Sequence, residues 1–258
     1  MGKVRAFIVN IGTELLIGRT INGNLQWLGS RIYSLGGEVL GSITVHDSKD
    51  QIAFALKCAF NSGAEFIITT GGLGPTYDDI TMEAVAEWLG KKLVLNENAL
   101  SFMLKLRKPM TEESKKAYEK MATLPEGSMP LFNYVGTAPG AMLFTDEKRL
   151  FVLPGVPREM KDMFERYVEP FIGYNVSRGI VTRVEGIFEA QISPLITELT
   201  NSFPSVYVKS HPSMEYGKSV LRIEAWTQDS SVDIMQIYRK LENFVKARGG
   251  KISLENEP

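Results

Sequence analysis

The sequence predicts an α/β domain, a parallel sheet with helices on both faces, followed by a small α+β domain. Three observations carry this. Apolar β-branched runs alternate with helix-period stretches from Arg5 to Leu89, which is the alternation that builds a parallel sheet. A dense glycine and aspartate cluster follows the third such run. Near Asn175 the pattern changes to strand, helix, strand, strand, helix, without glycine-rich loops. The 258 residues suit two domains at roughly 100–200 residues each, and we place them at 1–174 and 175–258.

Residues Arg5–Ile11 form a buried, branched run that stops at Gly12, a strand. Leu25, Leu28, Ile32 and Leu35 then recur on one helix face, and Gly36-Gly37 ends it. Val39–Val45 is a second strand. Ser48–Gln51 fits a capping box before Ile52, Leu56 and Phe60, and Gly63 closes that helix. Glu65–Thr70 is a third strand, and Met82–Leu89 is helical after the glycine cluster. Asn98–Arg107 and a helix from an N-cap at Thr111 to Met121 come next. Gly140–Phe144 and Leu150–Leu153 flank the turn Thr145–Lys148 as a hairpin, and Pro157–Phe171 is one helix with proline at its first position. Beyond the boundary, Ile180–Phe188, Ser205–Ser210 and Ser219–Trp226 are strands, and Ala190–Thr200 and Asp229–Ala247 are helices. His211, before Pro212, falls in a loop, and Cys58, Met103, Met110, Met121, Met160 and Met163 are expected to pack.

Composition narrows the partners. Lys plus Arg number 29 against 30 acids, so the basic excess of a protein that coats nucleic acid is missing, and no nucleic-acid partner is expected. A single cysteine excludes an intrachain disulfide and a cysteine zinc site; two histidines leave little for a histidine metal site, and no haem is expected. The absence of a signal-peptide pattern and of a long apolar run points to a soluble, cytoplasmic protein with no membrane partner.

Ligands of an open parallel sheet sit beyond the carboxyl ends of its strands, so the loops leaving the first three strands are the candidates. The third, Thr70–Thr81, has the strongest signal. Gly71, Gly72 and Gly74 let a backbone approach an anion, and the helix behind them adds free amides. Pro75, Thr76 and Thr81 belong to the same run. Asp78 and Asp79 would repel a phosphate unless a divalent cation such as Mg²⁺ lies between. Helix capping is the plainer role for either aspartate. The loop lacks the Gly-Lys-Ser/Thr of a Walker motif and the GxGxxG spacing. Glu14 and Asn22 in the first loop could meet a ribose hydroxyl or a cation, and Asp47 in the second sits where a helix dipole alone would favour an acid. Gly136–Gly140, with Pro139 and Gly140, and Pro154–Glu159, with Pro154 and Gly155, have the small-residue pattern of a close approach. Lys115 and Lys116 read as a solvated helix face.

These motifs carry a resemblance. Gly12–Gly18 with Asn22 resembles the "GDELLxG…N" opening of the molybdopterin-binding (MoaB/Mog-like) superfamily, and Thr70–Thr81 resembles its "TGGxGxTxxDxT" loop. Gly74-Pro75-Thr76 with paired Asp78-Asp79, together with Gly136–Gly140 and Pro154–Met160, is similar to the CinA-type competence/damage-inducible branch over residues 4–171. Thr13 stands where the pattern has aspartate, so the first loop offers one acid, Glu14. Residues 180–250 resemble, more weakly, the small second domain of that branch, while the amidohydrolase domain of full-length members has no counterpart, so that activity is not carried over.

The resemblance implies a three-layer, doubly wound, mostly parallel fold that binds a nucleotide or a pterin. It also implies metal-dependent hydrolysis of ADP-ribose to AMP and ribose 5-phosphate, assisted by potassium. Asp79 matches the family's key loop aspartate and Asp47 its second functional one. With Asp78, they are the expected catalytic residues, and Asp47 and Asp79 the expected ligands of Mg²⁺, Co²⁺ or Ni²⁺. A homo-oligomer is expected. The rival readings are a transferase acting on molybdopterin and a non-catalytic nucleotide-binding module.

Overall fold

The structure is a computed structural model and describes residues 3–106, 109–145, 147–173, 178–215 and 218–255. It divides into two compact units, Met1–Tyr174 and Asn175–Pro258. Arg107, Asp146 and Asn175, at which the sequence places a helix end, a turn and the boundary, lie outside the described residues.

In the first unit, β1 (Arg5–Ile11) leads through the short α1 (Thr13–Leu16) to α2 (Gly23–Ser34) and β2 (Glu38–Val45). Next come α3 (Lys49–Asn61), β3 (Phe66–Thr70), α4 (Thr81–Trp88), β4 (Leu93–Leu95) and α5 (Glu97–Leu106). They are followed by α6 (Glu112–Met121), β5 (Thr123–Pro125), β6 (Met129–Leu131), β7 (Gly140–Thr145), β8 (Lys148–Leu153) and α7 (Pro157–Met163). A π-helical turn, Phe164–Val168, and α8 (Glu169–Ile172) close the unit.

The sheet order is β2-β1-β3-β8-β7-β6. The first four strands are parallel neighbours, and β7 and β6 add antiparallel. Alternate residues of each strand enter opposite cores, as a period of two requires. Val9, Ile11 and Ile67 pack under α3 to α6, with Leu56, Val85 and Met121. Ala6, Ile8, Phe66 and Ile68 pack under α2 and α7, with Leu28, Ile32 and Met160. The result is a three-layer α/β unit with a mostly parallel sheet, as the sequence predicts.

Several elements differ from expectation. Ser48 makes no side-chain cap on α3, and Gln51 Oε1 accepts the His46 amide (3.2 Å) instead of completing a box. The predicted helix Pro157–Phe171 breaks into three pieces around Pro170, which lacks an amide hydrogen and crowds the preceding turn. The Thr111 cap on α6 is present, paired with Ser114. The short β4, β5 and β6 have too few residues to show a period. Met110 is 95% exposed rather than packed.

The second unit holds β9 (Arg178–Glu185), α9 (Glu189–Ser202), β10 (Val206–Glu215), β11 (Lys218–Thr227), α10 (Ile234–Lys246) and β12 (Lys251–Glu255). Its antiparallel order, β10-β11-β9-β12, is that of two interleaved split βαβ units, with both helices on one core. β12 and the extension of β10 past Ser210 are additions to the sequence reading, and His211 lies in β10 opposite Arg222 rather than in a loop. Among the described residues no helix is long and apolar enough to cross a membrane.

Candidate functional site

β1 lies between β2 and β3, so the chain leaving β1 turns toward one side of the sheet and the chain leaving β3 toward the other. A crevice opens at such a point, beyond the carboxyl ends of the two strands. The loops after β1, β3 and β8 meet there, backbone against backbone. A Cβ on Gly71 would strike the Ile11 carbonyl oxygen, and one on Gly155 would lie 3.2 Å from Gly71 Cα. The Gly71 amide donates to Leu153 O (3.1 Å). Gly71 and Gly72 have φ of +107° and +66°, a region that other residues avoid. Thr81, fully buried, donates its hydroxyl to Gly71 O (2.8 Å) and its amide to Gly72 O (3.1 Å). Close packing of loops therefore accounts for Gly71 and Thr81, and neither lines a cavity described below.

The outer half of the glycine loop is organised by Thr76. Its amide donates to Asp79 Oδ2 (2.9 Å), and its hydroxyl faces both Asp79 Oδ2 and Asp78 Oδ1. Its carbonyl accepts from Lys120 Nζ on α6. The Thr76 hydroxyl, then a backbone amide and the Lys120 charge, hold the Asp78 carboxyl below the usual carboxylate range. Asp79 does not cap α4: the cap position is Ile80, and no side chain fills it. The plain capping role is thus excluded for Asp79. Both of these Thr76 bonds fall on Asp79 Oδ2.

Two cavities flank this loop. The larger, about 370 Å³, is lined by Gly72, Gly74, Pro75, Asp79, Pro154, Gly155 and Glu159, with Thr137 and Ala138 opposite. The smaller, about 150 Å³, shares Gly72, Gly74, Asp79 and Met121 and adds Glu83 and Lys120. A third cavity, about 130 Å³, sits at the crevice between β1 and β3, where Glu14, Asn22, Asn24, Thr70 and Gly155 line it.

Sequence reasoning gave Glu159 and Asn24 no role, although both stand in loops it singled out, and missed Asn133. Asn133, 1% exposed, donates to Glu159 Oε2 (2.6 Å) and to Ala138 O (3.0 Å), which fixes the carboxylate at the cavity wall. Asn24 donates to Gly155 O (2.8 Å) and so ties the first loop to the last, while its carbonyl oxygen is buried without a partner. Asn22 caps α2 by accepting from the Leu25 amide (3.0 Å), a structural duty beside its place in the cavity wall. Glu159 had a visible signal, an acid in the first turn of a helix after Pro-Gly. Asn133 had none, because only the fold brings it to Glu159.

Two further expectations are corrected. Pro139 and Gly140 are buried, and Gly140 packs against Val152 O at the start of β7; their neighbours Thr137 and Ala138 form the wall instead. Asp47, expected beside Asp79, lines none of these three cavities. It accepts from the Thr13 amide (2.8 Å) and hydroxyl (2.9 Å) at the end of the edge strand β2. Thr13, where the motif pattern has aspartate, is thus the residue that occupies Asp47.

Comparison with known proteins agrees with this architecture. A family model described as a probable molybdopterin binding domain matches residues 7–174. A protein of Aeropyrum pernix is 41% identical over 98% of this chain and 97% of its own length. A putative competence-damage inducible protein of Clostridioides difficile is 36% identical over 96% of this chain, which spans 59% of that protein. The crystal structure of the protein CinA from Thermoplasma acidophilum is 33% identical, with a TM-score of 0.61 over 66% of this chain and 99% of that one. With motif, fold and loop geometry in accord, the chain belongs to the probable molybdopterin binding domain family and is CinA-like.

Proposed function

We propose that the first unit binds a nucleoside diphosphate compound of the ADP-ribose type and hydrolyses its diphosphate to a nucleoside monophosphate and a sugar phosphate. The observation that carries this reading is the 370 Å³ cavity, which Asp79 and Glu159 line together with Gly72, Gly74, Gly155 and small or apolar side chains. Its size suits a small-molecule ligand. Backbone amides of the glycine loop offer donors to phosphate oxygens, and the two carboxylates supply what a bound cation needs.

Among the described residues no group of three His, Cys, Asp or Glu could hold a metal. That donor set does not fit a cation caged by protein alone. It fits Mg²⁺, Co²⁺ or Ni²⁺ arriving with the diphosphate, held by one or two carboxylates and the phosphate oxygens themselves. When bound, such a cation polarises a phosphoryl oxygen and lowers the pKa of water. The chain's own residues orient the rest. Thr76 fixes Asp79 at one oxygen, and Asn133 fixes Glu159 at one oxygen. Each carboxylate keeps a second oxygen to hold the cation or the attacking water. In the hydrolysis, the water oxygen bonds to phosphorus, the bridging P–O bond breaks, and the water's protons are divided between the two phosphate products and solvent.

Incubating the protein with ADP-ribose and Mg²⁺, Co²⁺ or Ni²⁺, with and without K⁺, and following the reaction by phosphorus NMR tests the reading. AMP and ribose 5-phosphate should form only with a divalent cation. Absence of turnover across nucleoside diphosphate compounds would overturn it. The family description favours a second reading, a pterin ligand in the same cavity. Tight pterin binding without hydrolysis of any diphosphate would select that reading.

A further inference from the structure

Among the residues lining the three cavities, Lys120 is the one basic side chain. Around it stand carboxylates: Asp79 and Glu83 in its own cavity, Asp78 on the loop it touches, and Glu159 across the glycine loop. A diphosphate placed on that loop brings further negative charge into an acidic setting. A divalent cation offsets part of it; among the residues that line these cavities the protein's own positive charge is that of Lys120, and the neighbouring lysines on α6, Lys115 and Lys116, are exposed and line none of them.

Position supports the role. Lys120 lies in the last turn of α6, a helix fixed at its start by the Thr111–Ser114 box and along its length by buried Tyr118 and Met121. Met121 lines both cavities that flank the loop, so the helix end is placed against the loop rather than free of it. The ammonium rests on the Thr76 carbonyl, a neutral acceptor. An ammonium has three donors, and a phosphate oxygen is a stronger acceptor than a peptide carbonyl. The four-carbon stem allows the head to turn from one to the other.

We propose that Lys120 is a ligand-binding residue that pairs with the diphosphate, and that Thr76 O is its resting place when no phosphate is present. The inference deepens the reading of the cavity given above and rests on its ligand class, a nucleoside diphosphate, but not on turnover. It gives the glycine loop two distinct charges: carboxylates that require a cation and an ammonium that reads phosphate directly. A purely structural latch would instead serve any ligand of the cavity equally.

Calorimetric titration of the full chain with ADP and with adenosine, in Mg²⁺, separates these roles. Lys120→Met should weaken ADP by roughly tenfold or more and leave adenosine within about twofold, and Lys120→Arg should restore most of the ADP affinity. Melting temperatures of both variants show whether the fold is kept. A variant with unfolded α6 would weaken both ligands, and then the charge-retaining Lys120→Arg decides: wild-type preference for ADP over adenosine supports the proposal, and loss of that preference overturns it. Equal ADP affinity in wild type and Lys120→Met overturns the proposal while leaving the hydrolytic reading intact. A wild type that binds ADP through Lys120 yet hydrolyses nothing leaves the proposal standing and ends that reading. A wild type with no ADP affinity overturns the proposal, while the phosphorus NMR assay decides the hydrolytic reading separately.

Discussion

Asp79 separates chemistry from architecture more cleanly than any other side chain in the glycine loop. It leaves the α4 cap to Ile80 and spends one oxygen on Thr76. Asparagine can still accept from the Thr76 amide, so Asp79→Asn should melt within a few degrees of the wild type. It should lose metal-dependent turnover by a factor of roughly 100 or more, the scale for removing a group that stabilises transition-state charge. Full activity in that variant would remove Asp79 from the mechanism. Asp78 makes a different, pH-dependent prediction. Its folded pKa lies below its unfolded value, so its stabilising effect is complete above the ordinary carboxylate range and is lost as pH falls through the lower folded value. Melting temperature followed downward from about pH 6 should fall less steeply in Asp78→Asn than in the wild type at the acid end. Identical slopes would mean that the Thr76 contact does not distinguish the charged carboxyl. The residues that sequence patterns exposed were those whose loops have unusual composition, such as Asp79 and Gly155. Asn133 and Lys120 escaped because their importance comes from what lies across space, and neither stands in a motif.

At the scale of elements, the long strands and helices were readable because each carries a full period of apolar residues facing one of two cores. β1, β2, β3 and the β7–β8 hairpin fall where the alternation puts them. Three-residue strands such as β4 and β6 cannot display a period, and Pro170 breaks a helix whose apolar spacing otherwise continues. The capping box at Ser48 is not formed, and the glutamine that would complete it is used by the preceding strand end. The glycine loop is where element geometry is most constrained. Gly71→Ala adds a Cβ against the Ile11 carbonyl at a φ of +107°. We expect a loss of at least about 1–3 kcal/mol in denaturant unfolding, with the ligand affinity falling in parallel as β1 and β3 separate at their ends. A neutral substitution would show that the three loops can part without cost.

At the scale of the whole molecule, each unit has its own core. The apolar core residues of the first run from Ala6 to Val168, and those of the second from Val184 to Val245. The lining of all three cavities comes from the first unit. A fragment of residues 1–174 should therefore fold with a single cooperative transition and bind ADP within about threefold of the full chain. A folded fragment without ADP affinity would assign part of the binding to the second unit. This division was legible as a change of pattern near Asn175, whereas β12 was not, since Lys251–Glu255 alternates polar and apolar residues over a stretch too short to stand out.

The far border of the six-stranded sheet has a consequence for how the protein behaves in concentrated solution. That border is β6, three residues long with Pro130 at its centre, paired on one side only. A proline offers no amide hydrogen to a newcomer, and so short a strand gives an incoming segment little to align with. The sheet is thereby closed to edge-on growth at this margin by the strand's own backbone. Stacking of copies into fibrils through β6 is disfavoured by the backbone itself, whatever the surface charge or salt.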